Sequence, residues 1–121
     1  MANVLLVDDS SVVRSHMRTL LESGGHMVLE ASNGLKALNV LETHASVQLI
    51  ITDINMPEMD GISFCKLLRT DPIHANVRVF ALTTEVSTEL KIAGKEAGIL
   101  LWIQKPADGE LLLATIEKIL G

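Results

Sequence analysis

The chain has one cysteine, no tyrosine, one tryptophan and two phenylalanines among its 121 residues. Cys65 alone cannot close an internal disulfide. No basic stretch precedes the first apolar run, so a secretory signal is not indicated and a reducing cytoplasm is the expected compartment. So few aromatic rings argue against a flavodoxin-like electron carrier, which stacks its flavin on aromatic side chains. No apolar run approaches the roughly 20 residues of a membrane span. Ten Lys and Arg stand against fifteen Asp and Glu, a net charge of -5. Neither a nucleic-acid-binding face nor attachment to an anionic membrane surface fits that balance. Linkers, repeats and low-complexity stretches are also missing. What the chain has is apolar residues, 48% of the total. That is enough for one core in one domain, expected to run over residues 1–121.

Buried strands and amphipathic helices alternate five times. Val4 to Val7 is a continuous apolar run, as in strands buried on both faces. Ser10 or Ser11 can cap the helix that follows, which carries Val13, Met17, Leu20 and Leu21 on one face and stops at Gly24 and Gly25. Met27 to Ala31 is a weaker strand, and its Glu30 suits a sheet edge. Asn33 opens a second helix with Leu38 and Leu41 inward. Leu49 to Thr52 is a third strand ending at Asp53, followed by a loop from Pro57 to Gly61. A helix bearing Phe64, Cys65 and Leu68 stops before Pro72. Val77 to Leu82 is the fourth strand, ending at Thr83. The fourth helix is expected over 86–97, with Gly94 loosening it, because glycine costs a helix about 1 kcal/mol relative to alanine. Leu100 to Gln104 is the fifth strand, ending at Lys105 and Pro106. The last helix carries Leu112, Ile116 and Ile119.

Strict alternation implies an α/β fold, because parallel neighbours need crossover connections. The expected architecture is a doubly wound five-stranded parallel sheet in the order 2-1-3-4-5, a three-layer sandwich of the flavodoxin type. Ligands in such sheets bind beyond the carboxyl ends of the strands, at the switch point between strands one and three. Strand one ends in Asp8 and Asp9, strand three in Asp53, strand four in Thr83 and strand five in Lys105. Three carboxylates, a hydroxyl and an ammonium are thus directed to one rim. Clustered carboxylates repel one another and call for a cation, and hard oxygen ligands with room for water suit Mg2+. A carboxylate can also act as a nucleophile and become an aspartyl phosphate. Lys105 and the Thr83 hydroxyl could bind phosphoryl oxygens beside it.

The segments Leu6-Val7-Asp8-Asp9-Ser10, Asp53-Ile54-Asn55-Met56-Pro57-Glu58-Met59-Asp60-Gly61, Leu82-Thr83-Thr84-Glu85 and Lys105-Pro106 resemble those of response-regulator receiver domains, in particular the CheY-like single-domain type. The resemblance spans the chain. It implies that Asp53 accepts a phosphoryl group from a phosphohistidine on a sensor histidine kinase or phosphotransfer protein. It implies Mg2+ held by Asp8, Asp9, Asp53 and the main-chain carbonyl of Asn55. Lys105 would bond the phosphoryl group, and the Lys105–Pro106 peptide would be cis. Thr83 and the aromatic residue at position 102 would form the switch, and Asn55 and Glu85 would tune hydrolysis. Two positions depart from the usual pattern: Trp102 stands where Tyr or Phe is more usual, and Ala107 where Phe is frequent.

Taken singly, Asp8 and Asp9 would read as caps and Asp53 as a strand-end residue. In register with Thr83 and Lys105, the functional reading outweighs the structural one. His16, His26, His44 and His74 show no ligand spacing and are expected at surface or boundary positions. Cys65 reads as helix packing, and Met56 and Met59 as a cover over the site. The competing reading is a Mg2+-dependent phosphohydrolase working through an aspartyl phosphate. Haloacid-dehalogenase-type enzymes carry Asp-x-Asp and a cap domain, whereas here the two aspartates are adjacent and no residues remain for a cap. The expected function is therefore a two-component response regulator rather than an enzyme, with catalysis limited to its own phosphorylation and dephosphorylation. With no output module after the last helix, the signal is expected to pass to a separate, unknown protein through the surface of helix four, strand five and helix five.

Overall fold

A computed structural model describes residues 1–121. It contains β1 (Asn3–Val7), α1 (Ser11–Ser23), β2 (Met27–Ala31), α2 (Gly34–Glu42), β3 (Leu49–Asp53), α3 (Gly61–Leu68), β4 (Arg78–Thr83), α4 (Thr88–Glu96), β5 (Ile99–Gln104) and α5 (Gly109–Leu120). The strands form one parallel sheet in the order β2-β1-β3-β4-β5.

Side chains on successive strand residues point to opposite faces, so each central strand feeds two cores. Leu5, Val7, Ile50, Val79 and Ala81 face α2, α3 and α4, where Leu41, Phe64 and Leu68 meet them. Val4, Leu6, Leu49, Ile51, Phe80 and Leu82 face the opposite layer, packing on Met17 and Leu21 of α1 and on Leu112 and Ile116 of α5. This double burial is why strands β1, β3 and β4 read as continuous apolar runs.

Each helix begins on a side-chain oxygen that accepts a bond from a main-chain N–H of the first turn. Ser10 accepts from Val13, Asn33 from Lys36, Asp60 from Ser63, Ser87 from Leu90 and Asp108 from Leu111. Such caps contribute about 1 kcal/mol apiece. They settle two boundaries: Ser10, not Ser11, caps α1, and α4 starts at Thr88 rather than at 86.

Both later strands differ slightly from the sequence expectation. Val77 lies outside β4, and its carbonyl accepts a bond from the Arg69 guanidinium (2.7 Å). Arg69 also donates to the carbonyls of Ala75, Ala97 and Gly98, tying the end of α3 to the turn between α4 and β5. β5 begins at Ile99, paired with Val79, but Phe80 is paired with Leu101. Leu100 is therefore an extra residue in the ladder, and its side chain is exposed. The bulge resets the alternation, so Ile99 and Trp102 share one face while Leu101 and Ile103 take the other.

His74 is not a surface residue. It is 2% exposed, with Nδ1 2.8 Å from an Asp71 carboxylate oxygen and Nε2 3.3 Å from the His44 carbonyl. The imidazole thus joins the loop after α3 to the segment after α2, and its partners lie in separate parts of the sequence. Cys65 is fully buried, and burial pushes its thiol pKa up to about 12, which suits packing rather than nucleophilic chemistry. Met56 and Met59 pack against the α2–α3–α4 core, with the Met59 sulfur lying where a Cβ on Gly34 would come to 3.0 Å. They fill the gap between that core and the loop after β3.

Candidate functional site

The parallel sheet brings the carboxyl ends of all its strands to one rim. β1 delivers Asp8 and Asp9 there. Asp8 is buried and Asp9 exposed. β3 delivers Asp53, 6% exposed. One carboxylate oxygen from each of the three lies within 4.8 Å of the others. β5 runs on into Lys105, whose main-chain N–H donates to the Thr83 carbonyl (2.9 Å). Its ammonium sits 2.8 Å from Asp8 Oδ2 and 3.4 Å from Asp53 Oδ2. The Lys105–Pro106 peptide is cis.

The other carboxylate oxygens are held by main-chain donors. Asp8 Oδ1 accepts from the Ser10 N–H (2.9 Å), and Asp53 Oδ1 accepts from the Ile54 N–H (2.8 Å). One oxygen of each buried aspartate is thereby fixed, and the other is turned toward Lys105. Asp8 Oδ2 is buried with that ammonium as its counter-charge.

Three carboxylates at the rim face one ammonium, so their charge is only partly compensated. Burial, then the neighbouring Asp8 charge, raises the Asp53 pKa above its ordinary value. Lys105 and the Ile54 N–H pull the other way without cancelling that rise. For Lys105, burial works against the charge, but the Asp8 and Asp53 carboxylates outweigh it and raise its pKa. Three hard oxygen donors in reach of one another, one of them open to water, are a suitable set for a small divalent cation.

The structure thus joins Asp8, Asp9, Asp53 and Lys105 in one cluster. Thr83 is buried at the same rim, but its hydroxyl is engaged with the loop after β4. It donates to the Glu85 carbonyl (3.1 Å) and accepts from the Glu85 N–H (3.3 Å). The Asn55 and Glu85 side chains are exposed beside the rim.

Trp102 is half-buried between β5 and α4. Gly94 does more than loosen α4. It is buried, and a Cβ there would come 2.5 Å from the Trp102 ring and 3.2 Å from Ile99 Cδ1. The absent side chain is the space the indole occupies. Gly94→Ala would strengthen the helix by about 1 kcal/mol while pushing the indole outward. The expected result is Trp102 emission shifted to longer wavelength, with net stability changed by less than about 1 kcal/mol. Unshifted emission would show that the ring does not rest on Gly94. Leu101 and Leu90 are also half-buried, leaving a partly apolar surface along α4 and β5.

Sequence reasoning missed the supports beneath these groups. Gly61 leaves no room for a side chain, since a Cβ there would run into the Asp53 carbonyl oxygen. Arg14 donates to the Asp8 carbonyl from the second turn of α1 (2.6 Å). The glycine closing the loop after Asp53 was a visible signal for the first. Nothing in the sequence pairs Arg14 with its partners.

A buried carboxylate within an acidic cluster, with a lysine beside it at the carboxyl rim of a 2-1-3-4-5 sheet, defines a class of signalling domain. The family model for the response regulator receiver domain matches residues 4–117. The chain belongs to that family, whose members are the phosphoryl-accepting signalling domains of two-component systems. Within it, the likeness is to CheY-like regulators. The chain is 36% identical over 119 residues to chemotaxis protein CheY1 of Helicobacter pylori, covering 98% of this chain and 96% of that one. It is 33% identical over 121 residues to protein PilH of Pseudomonas aeruginosa, covering 100% and 99%. The crystal structure of chemotaxis protein CheY4 of Vibrio cholerae superposes with a TM-score of 0.92 at 38% identity, covering 98% of each chain. No helix here is long and apolar enough to cross a membrane.

Proposed function

We propose that Asp53 is the phosphoryl acceptor and that residues 1–121 act as one receiver unit. The supporting observation is its placement: a buried carboxylate with one oxygen fixed by the Ile54 N–H and the other facing Lys105. The fixed oxygen orients the group, and the other is the nucleophile. It forms a bond to phosphorus as the bond from phosphorus to the donor imidazole nitrogen breaks, and that nitrogen keeps the electron pair. The donor is a histidine kinase or phosphotransfer protein. The chain is 35% identical over 116 residues to a segment making up 14% of the sensor histidine kinase CheAY of Helicobacter pylori, so a segment like this chain occurs within a histidine kinase.

Lys105 neutralises charge on the incoming phosphoryl oxygens, at the cost of its 3.4 Å contact with Asp53. Asp8, Asp9 and Asp53, with the Asn55 main-chain carbonyl, would hold Mg2+. When bound, the ion offsets the charge that the carboxylates and the phosphoryl group would otherwise set against each other. The Thr83 hydroxyl leaves Glu85 to bond the phosphoryl group, which frees the β4–α4 loop and biases the α4–β5–α5 surface around Trp102. Asn55 and Glu85 flank the acceptor and set the access of hydrolytic water. A separate protein reads the altered surface in the cytoplasm. Chemistry is confined to the domain's own phosphorylation and dephosphorylation.

The test is incubation with Mg2+ and acetyl phosphate, followed by intact mass measurement and mapping of the modified peptide. One phosphoryl group per chain on Asp53, with a coincident change in Trp102 fluorescence, is expected. A phosphoryl group mapped to Asp8 or Asp9, or none taken up, overturns the assignment. Catalytic release of phosphate from small esters would instead favour a phosphohydrolase.

A further inference from the structure

The rim aspartates are carried by a turn whose polar groups are nearly all committed. The Asp8 N–H donates to the Ala31 carbonyl (3.1 Å), and its Oδ1 accepts from Ser10. Its carbonyl accepts from Arg14 Nη1 (2.6 Å). The same guanidinium donates through Nε to Glu30 Oε1 (3.0 Å). Glu30 uses its second oxygen on Arg18 (2.6 Å), so it is gripped from both sides. Burial works against the Glu30 charge, yet the bonds from Arg18 and Arg14 hold its pKa below the ordinary value.

Two geometric facts separate this arrangement from an ordinary surface ion pair. First, the Arg14 side chain is only 18% exposed, and one guanidinium bridges a side chain on β2 and a main-chain carbonyl at the end of β1. Second, that carbonyl belongs to the residue between the buried strand and Asp9, the exposed member of the acidic cluster. A planar fork with fixed donors transmits position from one partner to the other, whereas a lysine ammonium acts as a point charge.

We propose that Arg14, anchored by Glu30, is a positioning residue for divalent-cation binding, fixing the Asp8–Asp9 turn so that both carboxylates face Asp53. The inference rests on the Mg2+ reading above. It makes a prediction of definite sign. Removing a positive charge beside three carboxylates would, by electrostatics alone, tighten the binding of a dication. Loss of positioning would weaken it, because partners that orient metal ligands are commonly worth 10-fold or more in affinity.

The experiment is calorimetric titration of the full chain with MgCl2, comparing the parent with Arg14→Gln, Arg14→Lys and Glu30→Gln. Amide shifts of residues 8–10 are recorded before any metal is added. Arg14→Gln is expected to weaken Mg2+ binding about 10-fold and to move those amides. Arg14→Lys should recover only part of the loss, and Glu30→Gln, which leaves Arg14 in place but removes the charge and one of the two acceptor oxygens that grip it, should fall between. Urea midpoints of the metal-free proteins separate a purely structural role, which would lower the midpoint and leave the Mg2+ affinity of the folded protein unchanged. Unchanged or tighter binding by Arg14→Gln overturns the proposal. A parent chain that fails to bind Mg2+ overturns the reading beneath it, and the proposal with it.

Discussion

Asp53→Asn is expected to abolish phosphoryl uptake and, at neutral pH, to make the folded protein more stable. The first effect follows from the proposed role of its carboxylate oxygen as the nucleophile. The second follows from the balance of charges around it. Folding carries the Asp53 carboxylate out of water and sets it near Asp8, and the Lys105 ammonium at 3.4 Å only partly compensates. Its folded pKa therefore lies above the ordinary 3.8. Between these two values the folded state binds more protons than the unfolded state, so stability falls as pH rises through that window. The asparagine has no charge to desolvate, and Lys105 keeps its closer partner, Asp8, at 2.8 Å. A gain on the order of 1 kcal/mol at pH 7 is in keeping with neutralising a poorly compensated buried charge. Urea midpoints of parent and variant from acidic to neutral pH provide the check. The two should converge toward the ordinary carboxylate range and diverge above it. A gap independent of pH would mean that the Asp53 charge is not what strains the site.

Gly61→Ala should be the most damaging single-methyl change near the site. A Cβ at this position would be forced against the Asp53 carbonyl oxygen, with the Ile54 Cα at 3.0 Å and its Cδ1 at 3.1 Å. At Gly94 the obstacle is a side chain that can swing outward. At Gly61 it is backbone, tied in turn by the bond from the Gly61 N–H to the Ile54 carbonyl (2.9 Å). Relief requires moving either the first turn of α3 or the end of β3. Overpacking of this kind costs about 1–3 kcal/mol, and the rigid neighbour places Gly61 at the upper end. In a domain of this size the melting temperature should fall by roughly 10 °C. Because β3 carries Asp53, the surviving folded protein should also take up phosphoryl groups from acetyl phosphate more slowly. Melting within about 2 °C of the parent, a shift expected for well under 1 kcal/mol, would show that the loop has slack the structure does not reveal.

Much of this was legible in the sequence because parallel sheets leave strong local traces. Strands buried on both faces appear as apolar runs, and the rule that ligands bind at carboxyl strand ends selects the residue that ends each run. That logic was enough to nominate Asp8, Asp9, Asp53, Thr83 and Lys105 together. Two of the five caps, Ser10 (with Ser11 as the alternative) and Asn33, were equally local, whereas α4 starts at Thr88 after its Ser87 cap rather than at 86, because capping chemistry, not apolar periodicity, sets the first turn.

The rest depended on distance in space. The bulge at Leu100 decides which face Trp102 takes, and it exists because β5 must pair with β4 in a register the sequence does not state. His74 reads as a surface or boundary residue because, although Asp71 lies in its own turn, the His44 carbonyl that completes its burial meets it only when two distant loops fold against each other. Arg14 and Glu30 are 16 residues apart and touch only because β2 lies beside β1. The sequence by itself determined the layers, the rim and which chemical groups would stand on it, since periodicity and strand ends are properties of neighbours along the chain. Only the tertiary structure decided how those groups are oriented, which oxygen faces Lys105 and where the Thr83 hydroxyl rests, because hydrogen bonds and close packing between distant segments act at ångström distances that no local pattern encodes.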